Sequence, residues 1–208
     1  MPSLRSAHAP GLLLLLALAL GCANQAVATH DGSLVTDLRG SGGGGDLATG
    51  PTADLATGPV VGEPSELVGI TAAHNQVRAN AKPTPSPALP PLEWSATVAT
   101  AAQAWADGCS FKHSGNGYGE NIYANAGSTP TGQSVVDNWA SEASKYTYSS
   151  NSCAGTCGHY TQVVWRGSTQ LGCGFATCTK NSPFSGFPTW NFVVCDYNPP
   201  GNDGSRPY

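Results

Sequence analysis

Charge is scarce in this chain: 11% of its 208 residues are Asp, Glu, Lys or Arg, against about a quarter in an ordinary globular protein. What charge there is divides unevenly. Residues 1–64 carry two basic and five acidic side chains, and residues 65–208 carry seven basic and eight acidic, a net of −1. That leaves no basic stripe for a phosphate backbone, so no nucleic acid is expected as a partner. Long apolar runs are missing too. Leu12–Leu20 has nine residues; as a helix it would rise about 13–14 Å, less than half of a hydrocarbon core of about 30 Å. With Arg5 in front of it, this run reads as the centre of a signal peptide over residues 1–21, and not as a membrane span. Aromatic residues are absent before Pro64. The stretch from Ala23 to Pro64 is instead rich in Gly, Ala, Thr and Asp and contains Ser41-Gly42-Gly43-Gly44-Gly45, too little apolar surface to offset the cost of ordering a chain. Asp46–Pro51 recurs as Asp54–Pro59, and two copies are too few for a solenoid. Residues 22–64 are therefore expected to be a flexible low-complexity tether, and residues 65–208 one globular domain.

Paired C-x2-C knuckles of the zinc-ribbon kind are also lacking. Six of the seven cysteines lie between Cys109 and Cys195, with gaps of 44, 4, 16, 5 and 17. Gly and Pro supply 42 positions, so loops short of charge need another restraint. Disulfides in an exported protein answer both observations, with fifteen connectivities open. Cys22 stands apart, directly after the apolar run. Leu18-Ala19-Leu20-Gly21-Cys22 resembles the bacterial lipobox, which implies acylation of Cys22 and anchoring to the bacterial cell envelope; an ordinary cleavage site with Cys22 idle is the alternative.

Within the domain, Ser65 is placed to cap a helix whose inward positions are Leu67, Ile70, His74 and Val77. Lys82–Pro91 holds five prolines and cannot continue a helix. Ser95 offers a second cap before Val98, Ala101, Ala102 and Trp105, in a helix closed by Gly108. Thr129-Pro130 opens a third, carrying Val135, Val136 and Trp139, with Glu142 three residues further on the same side. Gln162–Trp165 and Trp190–Cys195 are β-rich, and Gly172–Gly174 and Pro183–Pro188 read as turns. Helices first and strands later predict an α+β domain with helices covering an antiparallel sheet.

Four polar motifs are hard to explain as ordinary surface: Cys109–Ser114, Tyr118–Ile122, Trp139–Glu142 and Gly158–Trp165. Gly158–Ser168 reads GHYTQVVWRGS, and Phe192–Asp203 reads FVVCDYNPPGND. With Ile70–Asn75 at the front and Ser205–Tyr208 at the end, these strings resemble the CAP superfamily of cysteine-rich secretory, antigen 5 and pathogenesis-related 1 proteins, and within it the plant pathogenesis-related branch. Asp196 departs from the second signature, which has an amide or basic residue there. The resemblance implies an α-β-α sandwich. It maps a cleft tetrad onto His113, Glu120, Glu142 and His159, and pairs Cys109 with Cys178, Cys153 with Cys157 and Cys173 with Cys195.

Imidazole nitrogens and carboxylate oxygens sharing a cleft suit a divalent ion such as Zn²⁺, which the fold itself does not require. His74 belongs to the first-helix pattern and reads as structural; Ser114 adjoins His113, but sequence neighbours rarely make a nucleophile–base pair. The leading expectation is an exported, monomeric binding module for a small apolar ligand such as a sterol or fatty acid. Phe184, Phe187 and Trp190 are the candidate groove, and the N-terminal lipid is the only membrane contact. A metal-dependent hydrolase or peptidase is one alternative, and a cell-surface module that binds a partner protein is another.

Overall fold

Gly69 decides where the first helix begins. The computed structural model describes residues 62–208, so the signal peptide, Cys22 and nearly all of the tether lie outside the described residues. Ser65 does not start a continuous helix: Ser65–Leu67 is a single 3-10 turn, and the chain then passes through Gly69 at φ +86° into α1, Ile70–Ala79. A left-handed residue breaks the helix that the apolar spacing predicts, and glycine adopts that conformation at least cost. The helix start is closed from upstream, where Gly69 N and Thr71 N donate to the Glu63 carboxylate at 2.7 and 2.9 Å. Leu67, Ile70 and His74 are fully buried, as their spacing predicts.

The next helix, α2, spans Ala96–Asp107 with Ser95 as its cap and buries Val98, Ala102 and Ala106. The third, α3, spans Gly132–Ala140. Its cap is Thr131, two residues later than Thr129, because Thr131 and Ser134 exchange side-chain bonds with each other's backbone N–H in a reciprocal cap. Glu142 falls beyond the helix, in the 3-10 segment Ser141–Lys145. The expectation of a strand over Gln162–Trp165 is wrong: α4 occupies Gly158–Val163. Tertiary contacts at its N-terminus, described below, override the β preference of Gln162-Val163-Val164-Trp165.

The strands are β1 (Glu93–Trp94), β2 (Gly119–Asn125), β3 (Tyr146–Thr147), β4 (Ser152–Cys153), β5 (Gln170–Cys178) and β6 (Trp190–Asn198). Four of them form one sheet in the order β1-β5-β6-β2, antiparallel except for the short β1–β5 pair, and β3 with β4 makes a separate hairpin. Side chains alternate across β6. Val193, Cys195 and Tyr197 join a core with α1, α3 and α4, whereas Trp190, Phe192 and Val194 join a second core with α2. The domain is thus an α-β-α sandwich.

Gly172 and Gly174 are not turn residues but lie inside β5. A Cβ at either would come within 2.0 and 2.4 Å of the α2 backbone at Ala99 and Gln103, so the missing side chains let the helix sit on the strand. The disulfides join Cys109 to Cys178, Cys153 to Cys157 and Cys173 to Cys195, which is the pairing that the resemblance implies. Cys173 and Cys195 are direct cross-strand partners on β5 and β6.

Candidate functional site

Two carboxylates hold two imidazoles in the same way. Glu120, on β2, accepts from His113 Nδ1 at 2.7 Å and from Ser114 N at 3.0 and 3.2 Å. Glu142 accepts from His159 Nδ1 at 2.7 Å, and from His159 N and Tyr160 N at 3.0 and 3.2 Å. In each pair the carboxylate is the more buried partner: 5% exposed for Glu120 against 62% for His113, and 12% for Glu142 against 26% for His159. A ring that donates from Nδ1 to a carboxylate keeps Nε2 as its free acceptor.

Glu142 has a second task. Cys157, the residue before α4, makes no side-chain cap, and the Glu142 carboxylate takes the N–H groups of the second and third helical residues in its place. That substitutes for a local cap and places negative charge at the helix N-terminus. Trp139 of α3 stacks on the His159 ring at 6.1 Å and 19°.

β2, which carries Glu120, is an edge strand of the sheet. Glu120 shares its side of the strand with Ile122 and Ala124, which pack with the α2 core, whereas Tyr123 packs with the opposite core. Asn121, also on that opposite side, donates to the His159 carbonyl and to Tyr197 Oη, both at 3.0 Å. Tyr197 Oη in turn lies 2.8 Å from His74 Nε2, and His74 Nδ1 lies 2.7 Å from the Ile70 carbonyl. A buried chain of bonds therefore runs from α1 to His159. Burial holds the His74 imidazole down to about 4, with the Arg78 charge adding to this against the Ile70 bond. Among the described residues no three His, Cys, Asp or Glu side chains gather around one point.

Asp196 sits opposite Glu120 in the β2–β6 register and is fully buried. Its Oδ2 accepts from Asn116 Nδ2 at 2.8 Å, while Oδ1 has no protein partner. Burial pushes its carboxyl up to about 7, with the Glu120 charge adding to this and the Asn116 bond opposing it. Sequence reasoning passed over Asn121, Tyr197 and Asp196 as site residues. Only Asp196 left a signal, as the one departure from the second signature.

Phe184, Phe187 and Trp190 differ in burial. Trp190 is a core residue whose Nε1 donates to the Lys180 carbonyl, Phe184 packs part-buried on the same core, and Phe187 is 55% exposed. A cavity of about 290 Å³ lies elsewhere, between the end of α1 and the 3-10 segment that carries Glu142. Val77, Ala81, Ala140 and Ala143 supply its apolar wall, and Tyr146, Tyr160, Asn80 and Lys82 its polar groups.

With this geometry the chain can be set beside known proteins. The sequence profile of the cysteine-rich secretory protein family, CAP, matches residues 71–197, and the chain belongs to that family. Pathogenesis-related leaf protein 4 of Solanum lycopersicum is 42% identical over 144 residues, covering 66% of this chain and 80% of that protein. Among solved structures, venom allergen-like protein 4 of Schistosoma mansoni superposes with a TM-score of 0.53 at 26% identity, covering 70% of this chain and 94% of that one. The structure of NaASP2 with Zn²⁺ superposes with a TM-score of 0.52 at 23% identity, covering 73% of this chain and 89% of that one, a likeness of fold.

Proposed function

We propose that this chain is an exported binding module that takes a small apolar ligand, with a divalent cation held between its two imidazoles. The observation that carries the ligand reading is the cavity of about 290 Å³, walled by Val77, Ala81, Ala140 and Ala143. Sites for small amphiphiles combine an apolar wall with a few placed polar groups, and here Asn80, Lys82, Tyr146 and Tyr160 are the polar residues of the lining. This cavity replaces the Phe184–Trp190 region as the candidate site. Three disulfides suit a protein that folds in an oxidising compartment, and acylation of Cys22 would hold it at a bacterial envelope. Mass spectrometry of the mature N-terminus tests that anchor: an unmodified peptide starting elsewhere removes it.

His113 Nε2 and His159 Nε2 are the donors such a cation would use, with water completing its shell. Glu120 and Glu142 would act from behind the rings, fixing their tautomer and raising their basicity. Such an ion supplies a polarised water. Titration of the full chain with Zn²⁺ by calorimetry is expected to show one site, weakened at least about tenfold in Glu142→Gln. For the cavity, titration with a sterol and with a long-chain fatty acid is expected to saturate, and Ala143→Trp is expected to abolish the saturation. No saturable binding of either class sinks the ligand reading.

A further inference from the structure

Two of the three disulfides are sealed in the core and one is not. Cys109, Cys178, Cys173 and Cys195 are 7%, 0%, 1% and 0% exposed. Cys157 is buried, but its partner Cys153 is exposed, and so are Ala154, Gly155 and Thr156 between them. The sequence separation of this bridge is 4, against 69 and 22 for the others. In the chain-entropy picture a short loop constrains the unfolded chain least, and exposed bridges are the ones that exchange with external thiols.

The exposed bridge also has an informative position. Cys153 pairs with Tyr146 across the β3–β4 hairpin, and Cys157 immediately precedes α4. One covalent bond therefore ties the hairpin that carries Tyr146 to the helix that carries His159 and Tyr160. Both tyrosines line the cavity, and His159 is held by Glu142.

We propose that Cys153–Cys157 is a thiol–disulfide exchange site for a low-molecular-weight thiol, and that its opening loosens the start of α4 and the His159–Glu142 pair while the other two bridges stay closed. The exchange does not depend on what the site binds. The external thiolate attacks the exposed Cys153 sulfur; a new S–S bond forms to that sulfur, the Cys153–Cys157 bond breaks, and its electron pair leaves on Cys157, which takes up a proton. A second thiolate then attacks the mixed disulfide and releases Cys153 as a thiol. Two external thiols are oxidised to one disulfide, and the protein gains two electrons and two protons.

The test uses the oxidised full chain, without denaturant, in buffers of graded reduced-to-oxidised glutathione ratio, with free thiols alkylated and mapped by mass spectrometry. Cys153 and Cys157 are expected to open at a ratio at least about tenfold less reducing than the other four cysteines require. In the same samples, amide hydrogen exchange at residues 158–161 is expected to accelerate at least about tenfold while β5 and β6 stay unchanged. The double variant Cys153→Ser/Cys157→Ser is expected to fold and to show the faster exchange without any thiol. Opening of all six cysteines together, earlier opening of another bridge, or selective opening with no faster exchange at residues 158–161 overturns the proposal. So does a double variant that fails to fold, since the bridge would then be a structural staple.

Discussion

Against one face of the sheet, α2 lies so close that a Cβ on Gly172 would come within 2.0 Å of its backbone; against the other, α1, α3 and α4 pack over a buried core and a chain of buried hydrogen bonds, and a pocket of about 290 Å³ opens among those helices, lined by no residue of the sheet. The close face is a seat, where shape alone fixes the helix. The other face is held by polar contacts as well as by shape: Tyr197 bridges His74 and Asn121, and Arg78 donates to four backbone carbonyls.

Substitutions can break this contrast, and the largest effect is expected on the close face. Gly172→Ala would force α2 away from β5 and is expected to cost about 4–5 kcal/mol or abolish folding, measured by urea denaturation; a cost below about 1 kcal/mol would show that the seat yields. Removing the bridge that closes the longest loop, with Cys109→Ala/Cys178→Ala, is expected to cost about 4 kcal/mol in the chain-entropy model. Arg78 is 1% exposed and donates to the carbonyls of Pro90, Val163, Trp165 and Ser168. Arg78→Met removes all five of these bonds, leaving the Trp165 carbonyl only its bond from Ser168 N, and is expected to cost about 3 kcal/mol.

A subtler contrast lies in pH. Folded, His74 titrates at about 4 and Asp196 at about 7; unfolded, they titrate near about 6.5 and 4. Between about pH 4 and 6.5 the unfolded chain therefore holds one more proton at His74 and one fewer at Asp196. As pH falls through that window, stability drops on account of His74 and rises on account of Asp196, so the two slopes nearly cancel. Asp196→Asn removes the second slope. It is expected to stabilise the protein by about 2–3 kcal/mol at pH 8 and to expose a loss of about the same size between pH 6.5 and 4, read from denaturation curves at the three pH values. An unchanged profile would show that Asp196 is ionised when folded. The smallest effect belongs to the pocket among the helices: Ala143→Trp, which fills it, is expected to shift stability by less than about 1 kcal/mol.

What the sequence made legible follows whether the cause of a structure is local. The second helix could be read because its signals are local: Ser95 and Gly108 bound it directly, and of the inward positions Val98, Ala101, Ala102 and Trp105, Val98 and Ala102 are buried while Ala101 and Trp105 are half-buried, with Ala106 the buried position the reading missed. The fourth could not, because its cap is Glu142, well upstream, while Val163 and Val164 argue locally for a strand. Gly172 and Gly174 look like a turn until the helix that needs their missing side chains is in place. The motifs that hold His113, Glu120, Glu142 and His159 stood out as unusual surface, the family resemblance joined them into a tetrad, and neither signal says that they form two separate His–Glu pairs. The cavity draws its lining from separate segments, so no single stretch announces it.

Glu142 does two jobs with one carboxylate, orienting an imidazole and terminating a helix, so chemistry and architecture cannot drift apart at that position. A lineage that abandoned whatever the imidazole does would still have reason to keep the acid. A glutamate at this place in a relative would therefore be poor proof of activity, and the exposed ring of His113 is the better witness.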